Sequence, residues 1–246
     1  NNNLILIGES KENTIITFDD NFSKINLGRN STFYTSTLLV EADDFTAFNL
    51  TIKNASGDKG QAIALSVTGN RAKITSCIIL GNQDTLYLSG KNAKQYFRNC
   101  YIEGTTDFIF GGATALFENC VIHSIKSSYV TAASTPEGVA YGFVFKNCKL
   151  TAEPAANAVY LGRPWRIYAK TVFIDCELGK HIKPEGWENW SKPDAEKKAF
   201  YAEYNNSGEG FQPKKRVAWS HQLTKTEAEQ YSIENILKDT VPNWYF

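Results

Sequence analysis

The sequence predicts an all-β solenoid in which short strands form stacked coils, and three observations lead to this fold class. The pattern Phe-x-Asn/Asp-Cys occurs four times, with two weaker copies upstream, and the six copies end at positions 50, 77, 100, 120, 148 and 176. The resulting spacings of 27, 23, 20, 28 and 28 residues are typical of repeat proteins. The repeats contain short runs of β-branched and aromatic residues and lack the 3.6-residue periodicity of helical repeats.

Each position of the repeat is expected to stack on its counterparts in the neighbouring coils. The position before the last is Asn or Asp in most copies, which predicts a turn, because these residues tolerate a left-handed backbone. All cysteines occupy the last position, which predicts a ladder of small buried thiols and neither disulfides nor metal ligands. They are Cys77, Cys100, Cys120, Cys148 and Cys176.

The repeat pattern ends after Cys176. Residues 180–222 are an irregular mixture of Pro, Gly, Trp and Lys, which is typical of long loops with a few strands. Thr224 and Glu227 have the spacing of a capping box, which predicts a C-terminal helix running to about Asp239. Such a helix would cover an open coil edge. No linker or shift in composition divides the chain, so residues 1–246 are predicted to form a single domain.

Composition excludes several classes of partner. The 26 basic and 26 acidic side chains give a formal charge of zero, so no electrostatic argument favours nucleic acid or an anionic membrane. No apolar run approaches the ~20 residues of a membrane span. The chain contains no Met, so we expect an N-terminal segment to be missing, and any signal peptide would precede residue 1.

Two aspartates share one phase of the repeat. Asp84 lies seven residues after Cys77 (84 − 77), and Asp107 lies seven residues after Cys100 (107 − 100). Equal phase on successive coils places both on one face, separated by the distance between neighbouring strands of about 4.8 Å. Arg163 cannot be phased in this way, and its place on the same face rests on the repeat alone. The segments that hold these three residues combine glycines, polar residues and aromatics, and they span residues 81–87, 104–111 and 160–165.

Such a group has a chemical logic. Two close carboxyl groups do not both ionise cheaply, so one tends to keep its proton, and Arg163 beside one of them would decide which one ionises. The charged aspartate would act as nucleophile or base and the protonated one as general acid. The side-chain amides of Gln61 and Gln83 would stabilise an oxyanion. The alternative is that Asp84 and Asp107 only cap turns.

Other hydrolytic chemistries have little support in the sequence. It contains three histidines and no Gly-x-Ser-x-Gly motif, which disfavours a serine triad. A cysteine nucleophile is disfavoured by the predicted burial of every thiol. No HExxH motif and no Cys-x-x-Cys pair is present, so we expect neither a metal nor another cofactor.

At these segments the sequence resembles the pectin methylesterase (pectinesterase) family of carbohydrate esterases. The matching stretches are GQAIAL, GNQDTLY, GTTDFIFGGA and YLGRPW, in that order. STFYTSTLLVEADDFTAFNLTIKNASG, HIKPEGWENW and AFYAEYNNSGEG are also similar to the family, so that the resemblance extends over roughly residues 4–246. It implies a right-handed parallel β-helix, secreted, periplasmic or displayed at the cell surface, that removes methyl esters from the galacturonate units of pectin and releases methanol.

The resemblance also implies roles for individual residues. Asp107 would be the nucleophile and Asp84 the acid that protonates methanol and later activates water. Arg163 would orient Asp107 and keep it ionised, while Gln83 and Gln61 would form the oxyanion hole. Further substrate contacts are implied, although the last three of these side chains are as well explained by buried packing. They are Thr32, Trp165, Tyr87, Phe110 and Trp187.

The start of the chain departs from the family, whose members carry an earlier helix and coil before the strand that matches residues 4–7. Two other classes stay open as alternatives: a β-helix polygalacturonase or pectate lyase, and a non-catalytic glycan-binding solenoid. The first needs a further Asp or an acidic calcium cluster, for which the sequence has no convincing candidate. The second leaves the matched phase of Asp84 and Asp107 without a purpose. A monomer that binds methyl-esterified pectin is expected.

Overall fold

Three parallel sheets form the walls of a solenoid in the computed structural model, which describes residues 3–246. Most coils contribute one strand to each sheet in turn. Sheet A consists of Ile5–Ile7, Thr46–Phe48, Ala72–Thr75, Lys94–Arg98, Thr114–Glu118, Phe143–Lys146, Lys170–Ile174, Phe200–Tyr204 and His221–Gln222. Sheet B consists of Ile15–Phe18, Thr51–Asn54, Ile78–Leu80, Tyr101–Gly104, Val121–Ser124, Lys149–Ala152 and Glu177–Leu178. Sheet C consists of Leu38–Val40, Leu65–Val67, Leu86–Leu88, Ile109–Gly111, Tyr129–Ala133 and Tyr160–Pro164.

The repeat found in the sequence corresponds to the register of sheet A. Phe97, Phe117, Phe145 and Phe173 are directly paired from strand to strand and are fully buried. Their rings stack with centroids 4.9, 4.5 and 4.4 Å apart and with nearly parallel planes. The aromatic ladder therefore forms part of the core, as the Phe-x-Asn/Asp-Cys pattern predicts.

The turn from sheet A to sheet B uses the Asn/Asp position. This residue adopts a left-handed backbone in every copy of the repeat, with φ between 53° and 58°. Asn and Asp are the non-glycine residues that accept this conformation at least cost. The prediction of a turn is therefore confirmed at Asn49, Ser76, Asn99, Asn119, Asn147 and Asp175.

The five cysteines follow these turns as a ladder of free, buried thiols, as predicted. Cys120, Cys148 and Cys176 each place Sγ within 3.4–3.6 Å of the carbonyl oxygen of a phenylalanine in the preceding coil. Burial raises the pKa of the Cys77 thiol to about 12. Thiols in such surroundings are unreactive and act as small apolar side chains.

The prediction of one C-terminal helix is wrong in two respects. The capping box at Thr224 is present, but the segment forms two short helices, because Ser232 accepts a hydrogen bond from the amide of Asn235 and caps a second helix. The segment also covers the outer face of sheet A and not a coil edge, since Ile236 and Leu237 pack on side chains of that sheet. The α-helices are Phe22–Ile25, Ala195–Lys198, Lys225–Glu229 and Ile233–Ile236, and the 3-10 helices are Gly28–Tyr34 and Pro213–Lys215.

An ionic cluster fastens this C-terminal segment to the solenoid. Asp239 accepts hydrogen bonds from Arg71 at 3.2 Å and from Lys94 at 3.1 Å, and its side chain is only 8% exposed.

Among residues 3–246, no helix is long and apolar enough to cross a membrane.

Candidate active site

The two aspartates occupy equivalent positions on adjacent coils. In sheet C, Leu86 pairs with Ile109, so Asp84 and Asp107 each lie two residues before a matched strand position. Both have a left-handed backbone, with φ of 64° and 50°. The amide of Asp84 donates to the carbonyl of the next coil at 3.1 Å, and the amide of Asp107 does so at 2.9 Å. The backbone ladder therefore holds both carboxyl groups on one face.

Arg163 joins this pair through a two-pronged contact with Asp107. Its Nε and one terminal nitrogen donate to the two carboxylate oxygens of Asp107 at 2.9 and 2.7 Å. The preceding residue, Gly162, permits the close approach of the coils, because a Cβ atom there would lie 2.0 Å from Oγ1 of Thr131. Charge-assisted contacts of this geometry are among the strongest hydrogen bonds in proteins.

The two carboxyl groups have different environments. Burial, and then the negative charge of Asp107, raise the pKa of Asp84 well above its usual value. Burial also raises the pKa of Asp107, but the hydrogen bonds and positive charge of Arg163 oppose the rise. Asp84 accepts no side-chain hydrogen bond from any residue in the range 3–246. Asp107 therefore ionises at a lower pH than Asp84.

An open groove of about 280 Å³ surrounds these groups. Gln61 and Gln83 line it beside the aspartates, with Thr32 at one side. An aromatic wall completes it, in which Phe110 lies 5.8 Å from Trp165 between ring centroids. The groove thus combines two carboxyl groups of different pKa, side-chain amides and flat apolar surfaces.

Most of the residues proposed from the sequence meet in this groove. Tyr87 pairs with Phe110 on the neighbouring strand of sheet C and extends the wall, with its ring centroid 4.9 Å from Phe110 and 5.0 Å from Phe33. The residues proposed from the sequence that line the groove are Thr32, Gln61, Gln83, Asp84, Asp107, Phe110, Arg163 and Trp165. The alternative that the two aspartates only cap turns explains their backbone conformation. It does not explain the side chain of Asp107, because both hydrogen bonds that this side chain makes within residues 3–246 come from Arg163.

Trp187 is the exception. Its side chain is 1% exposed and belongs to the main core, where its ring stacks on Tyr201 at 4.4 Å and contacts Phe173 at 5.9 Å. A residue buried to this extent does not reach a polymer in the groove, so the expectation of a substrate contact is corrected to a packing role.

Sequence reasoning missed several residues of the site. Trp190 lines the groove from the same irregular loop as Trp187, and no periodic signal distinguishes the two. Ala132 pairs with Phe110 in sheet C, so the register of the coils identifies it once the turn lengths are known. Tyr129 packs against Arg163 and lies next to Asp107 in the ladder. The remaining lining residues are Arg29 and Phe33.

The fold and the groove define a parallel β-helix protein with paired carboxyl groups in an aromatic cleft. The family model described as Pectinesterase matches residues 1–240, and the chain belongs to this family. Pectinesterase 31 of Arabidopsis thaliana is 37% identical over 94% of this chain and 74% of that protein. Among solved structures, pectin methylesterase from carrot has a TM-score of 0.89 at 32% identity, over 96% of this chain and 77% of that one.

A further solved structure is a pectin methylesterase in complex with hexasaccharide VII, with a TM-score of 0.82 at 31% identity, over 98% of this chain and 84% of that one. The chain spans only 42–46% of the length of five further Arabidopsis pectinesterases and pectinesterase/pectinesterase inhibitor proteins. These relationships confirm the predictions of a right-handed parallel β-helix and of an enzyme of the pectinesterase class.

Proposed function

We propose that this protein hydrolyses the methyl esters of galacturonate units in pectin and releases methanol, with Asp107 as nucleophile and Asp84 as general acid and base. The observation that carries the proposal is the asymmetry of the pair: Arg163 binds both oxygens of Asp107, whereas burial and the charge of Asp107 raise the pKa of Asp84 well above its usual value. Membership of the pectinesterase family and the relative solved with a hexasaccharide support the substrate class.

In the first half-reaction, a carboxylate oxygen of Asp107 attacks the ester carbonyl carbon. The electron pair of the C=O bond moves to oxygen, and the side-chain amides of Gln61 and Gln83 stabilise the resulting oxyanion. The intermediate then collapses, the bond to the methoxy oxygen breaks, and Asp84 gives its proton to that oxygen. Methanol leaves, and the galacturonyl group remains bound to Asp107 as an anhydride.

In the second half-reaction, Asp84 is a carboxylate and takes a proton from water. The oxygen of this water attacks the galacturonyl carbon, and the same amides stabilise the second oxyanion. Collapse breaks the bond to Asp107 and releases the carboxyl group of a galacturonic acid unit, which gives its remaining proton to solvent and becomes a carboxylate. Asp107 is again ionised and held by Arg163, while Asp84 again carries a proton, so one water is consumed for each methanol released.

The groove is suited to a polymer of sugars. Trp165 offers a flat face for a pyranose ring, and Phe110 and Tyr87, which are paired in sheet C, continue the wall. Thr32 also lines the groove and contributes a further substrate contact. Because the substrate is a polysaccharide of the plant cell wall, we place the protein outside the cytoplasm, secreted, periplasmic or at the cell surface.

Methanol release from highly methylated pectin tests the proposal. Asp107→Asn removes the nucleophile and is expected to lower the rate by at least about 10³-fold, and Asp84→Asn removes the proton donor. Asp175→Asn is the matched control, because Asp175 also has a left-handed backbone but lies at an exposed turn away from the groove. Full activity in Asp107→Asn would refute the assignment of the nucleophile. Shortening of demethylated pectin chains without methanol release would instead favour a polygalacturonase or lyase.

A further inference from the structure

The guanidinium group of Arg163 lies between two aromatic rings. Its central carbon is 4.0 Å from the ring centroid of Tyr129 on one side and 3.7 Å from that of Trp190 on the other. Its edge faces Asp107, to which two of its nitrogens donate. Stacking on both faces and hydrogen bonds along one edge together fix the plane of the group.

The two rings come from different parts of the molecule. Tyr129 belongs to sheet C, its carbonyl accepts the amide of Asp107 at 2.9 Å, and its ring stacks on Tyr160 with planes 10° apart. Trp190 lies in a loop outside the coils. One face of the stack is therefore part of the repeating scaffold, and the other depends on a single loop.

The backbone of this loop has an unfavourable conformation. Trp190 and Ser191 have φ of 54° and 52°, a left-handed conformation that is costly for bulky residues. Asn189 stabilises the turn by accepting a hydrogen bond from the amide of Ser191 at 2.9 Å and by donating to Glu196 at 2.6 Å. Two consecutive residues in this conformation indicate that the position of Trp190 is imposed by its surroundings.

Lys192 connects the loop to the strand that carries Arg163. Its Nζ donates to the carbonyl oxygens of Pro164 at 2.8 Å and of Trp165 at 3.2 Å, and it lies 4.2 Å from the ring centroid of Trp190. The same ammonium group therefore holds both the ring on top of Arg163 and the chain directly after Arg163.

We propose that Trp190 is a positioning residue that clamps Arg163 against Tyr129 so that Nε and one terminal nitrogen of the guanidinium group face Asp107. In this proposal Lys192 holds the clamp closed. The proposal rests on the proposed function, in which Asp107 must be ionised and correctly oriented. Without the clamp, the long side chain of Arg163 gains rotational freedom, and the carboxylate of Asp107 loses hydrogen bonds in a buried site. The ionised, attacking form of Asp107 then becomes rarer.

A simpler role for Trp190, as a wall on which a sugar ring stacks, gives a different result. Loss of a wall weakens binding of the ground state and the transition state alike, which raises KM and leaves kcat and its pH dependence unchanged. Loss of the clamp lowers kcat and moves the acid limb of the pH profile. Trp165→Leu provides the matched comparison, because Trp165 lines the groove without stacking on Arg163.

The test uses initial rates of methanol release from methylated pectin over a range of pH. We expect Trp190→Leu to lower kcat roughly 10–100-fold and to move the acid limb of kcat/KM upward by about one pH unit. Trp190→Phe, which keeps an aromatic face, should restore most of kcat. Lys192→Met should change both quantities in the same direction by a smaller amount, and part of its effect on the acid limb comes from the loss of its own positive charge, because that charge lowers the pKa of Asp107 while the charge of Glu188 raises it. The exposed Lys198→Met, outside the groove, should leave both quantities at wild-type values. Trp165→Leu should raise KM and leave the acid limb of the pH profile at its wild-type position.

A Trp190→Leu enzyme that is altered only in KM would overturn the clamp. So would a crystal structure of this variant in which both Arg163–Asp107 hydrogen bonds remain. The crystallographic result does not depend on esterase activity. If wild-type protein releases no methanol, the proposed function fails, whereas the geometry of Arg163 in the variant still decides whether Trp190 positions it.

Discussion

Replacement of Arg163 by Met removes both hydrogen bonds that Asp107 accepts from it, at 2.9 and 2.7 Å. A hydrogen bond to a charged group contributes about 1.5–3 kcal/mol, and about 1.36 kcal/mol corresponds to one pKa unit. The loss of two such bonds is therefore expected to raise the pKa of Asp107 by roughly two to four units. Arg163→Lys, which keeps the charge but only one contact, should raise it by roughly one to two units.

The sign of the effect on activity follows from the role of Asp107. Burial raises the pKa of this carboxyl group, and Arg163 opposes the rise. Without Arg163, a higher pH is needed for ionisation, so the acid limb of kcat/KM moves upward. At pH values below the wild-type limb, the ionised fraction and the rate fall roughly 10²–10⁴-fold in Arg163→Met, and part of the rate returns at higher pH.

The assay is methanol release as a function of pH, corrected at each pH for hydrolysis without enzyme. Arg166→Met is the control, since this neighbouring arginine is exposed and donates only to the Trp165 carbonyl among residues 3–246. Thermal unfolding of each variant verifies that the fold is retained. An Arg163→Met enzyme whose acid limb coincides with that of the wild type would refute the idea that Arg163 keeps Asp107 ionised.

Three further predictions concern stability. Phe145→Ala removes a ring stacked at 4.5 and 4.4 Å on its neighbours and should lower the free energy of unfolding by about 3–5 kcal/mol, measured in urea, against about 1 kcal/mol for Phe145→Leu. Burial raises the pKa of Asp239, but bonds from Lys94 and Asn70 outweigh it and leave the pKa well below its usual value. Asp239→Asn should therefore lower the free energy of unfolding by about 1–3 kcal/mol at neutral pH. This difference in free energy between wild type and variant should shrink as the pH falls below about 4, because Asp239 is then protonated in the unfolded chain. A difference that is the same at every pH would contradict this prediction. Burial, and to a smaller extent the charge of His123, lower the pKa of His181 to about 4. The free energy of unfolding of the wild type should therefore fall by up to roughly 3 kcal/mol as the pH is lowered from 6.5 to 4. This pH dependence should be absent in His181→Leu.

The periodic part of the molecule could be predicted from the sequence because one residue type recurs at one structural position. The stacked phenylalanines, the left-handed turns and the thiols all follow from a four-residue pattern. Asp84 and Asp107 could be placed together for the same reason, since their coils have turns of equal length between sheets B and C.

Arg163 could not be phased because later coils have longer turns. Tyr87, Phe110, Ala132 and Arg163 form one column of sheet C. Measured from the preceding cysteine, they lie 10 (87 − 77), 10 (110 − 100), 12 (132 − 120) and 15 (163 − 148) residues along the chain. The additional residues are accommodated in the turn between sheets B and C, where loop length changes at little energetic cost.

The loops outside the coils could not be predicted in this way. Trp187 and Trp190 lie three residues apart in a segment without periodicity, and the left-handed turn at Trp190 directs one ring to the groove while the other stays in the core. Ser232 likewise begins a second helix where the capping box at Thr224 predicted one continuous helix running to about Asp239. In both places a local hydrogen bond between a side chain and the backbone determines the path of the chain.

The turn position of Asp84 and Asp107 and their proposed chemistry have one origin. A left-handed backbone favours Asp or Asn, and at this point of the coil it brings the side chain to the groove, while the amides of both residues pair with the next coil. Asp107→Asn preserves this backbone, whereas Asp107→Ala places alanine at φ 50° at a cost of about 1–2 kcal/mol. Both variants should lose methanol release and the ion pair with Arg163, but the alanine variant should unfold at a lower denaturant concentration than the asparagine variant. Equal destabilisation of the two would show that Asp107 stabilises the fold through its carboxylate and not through its backbone preference.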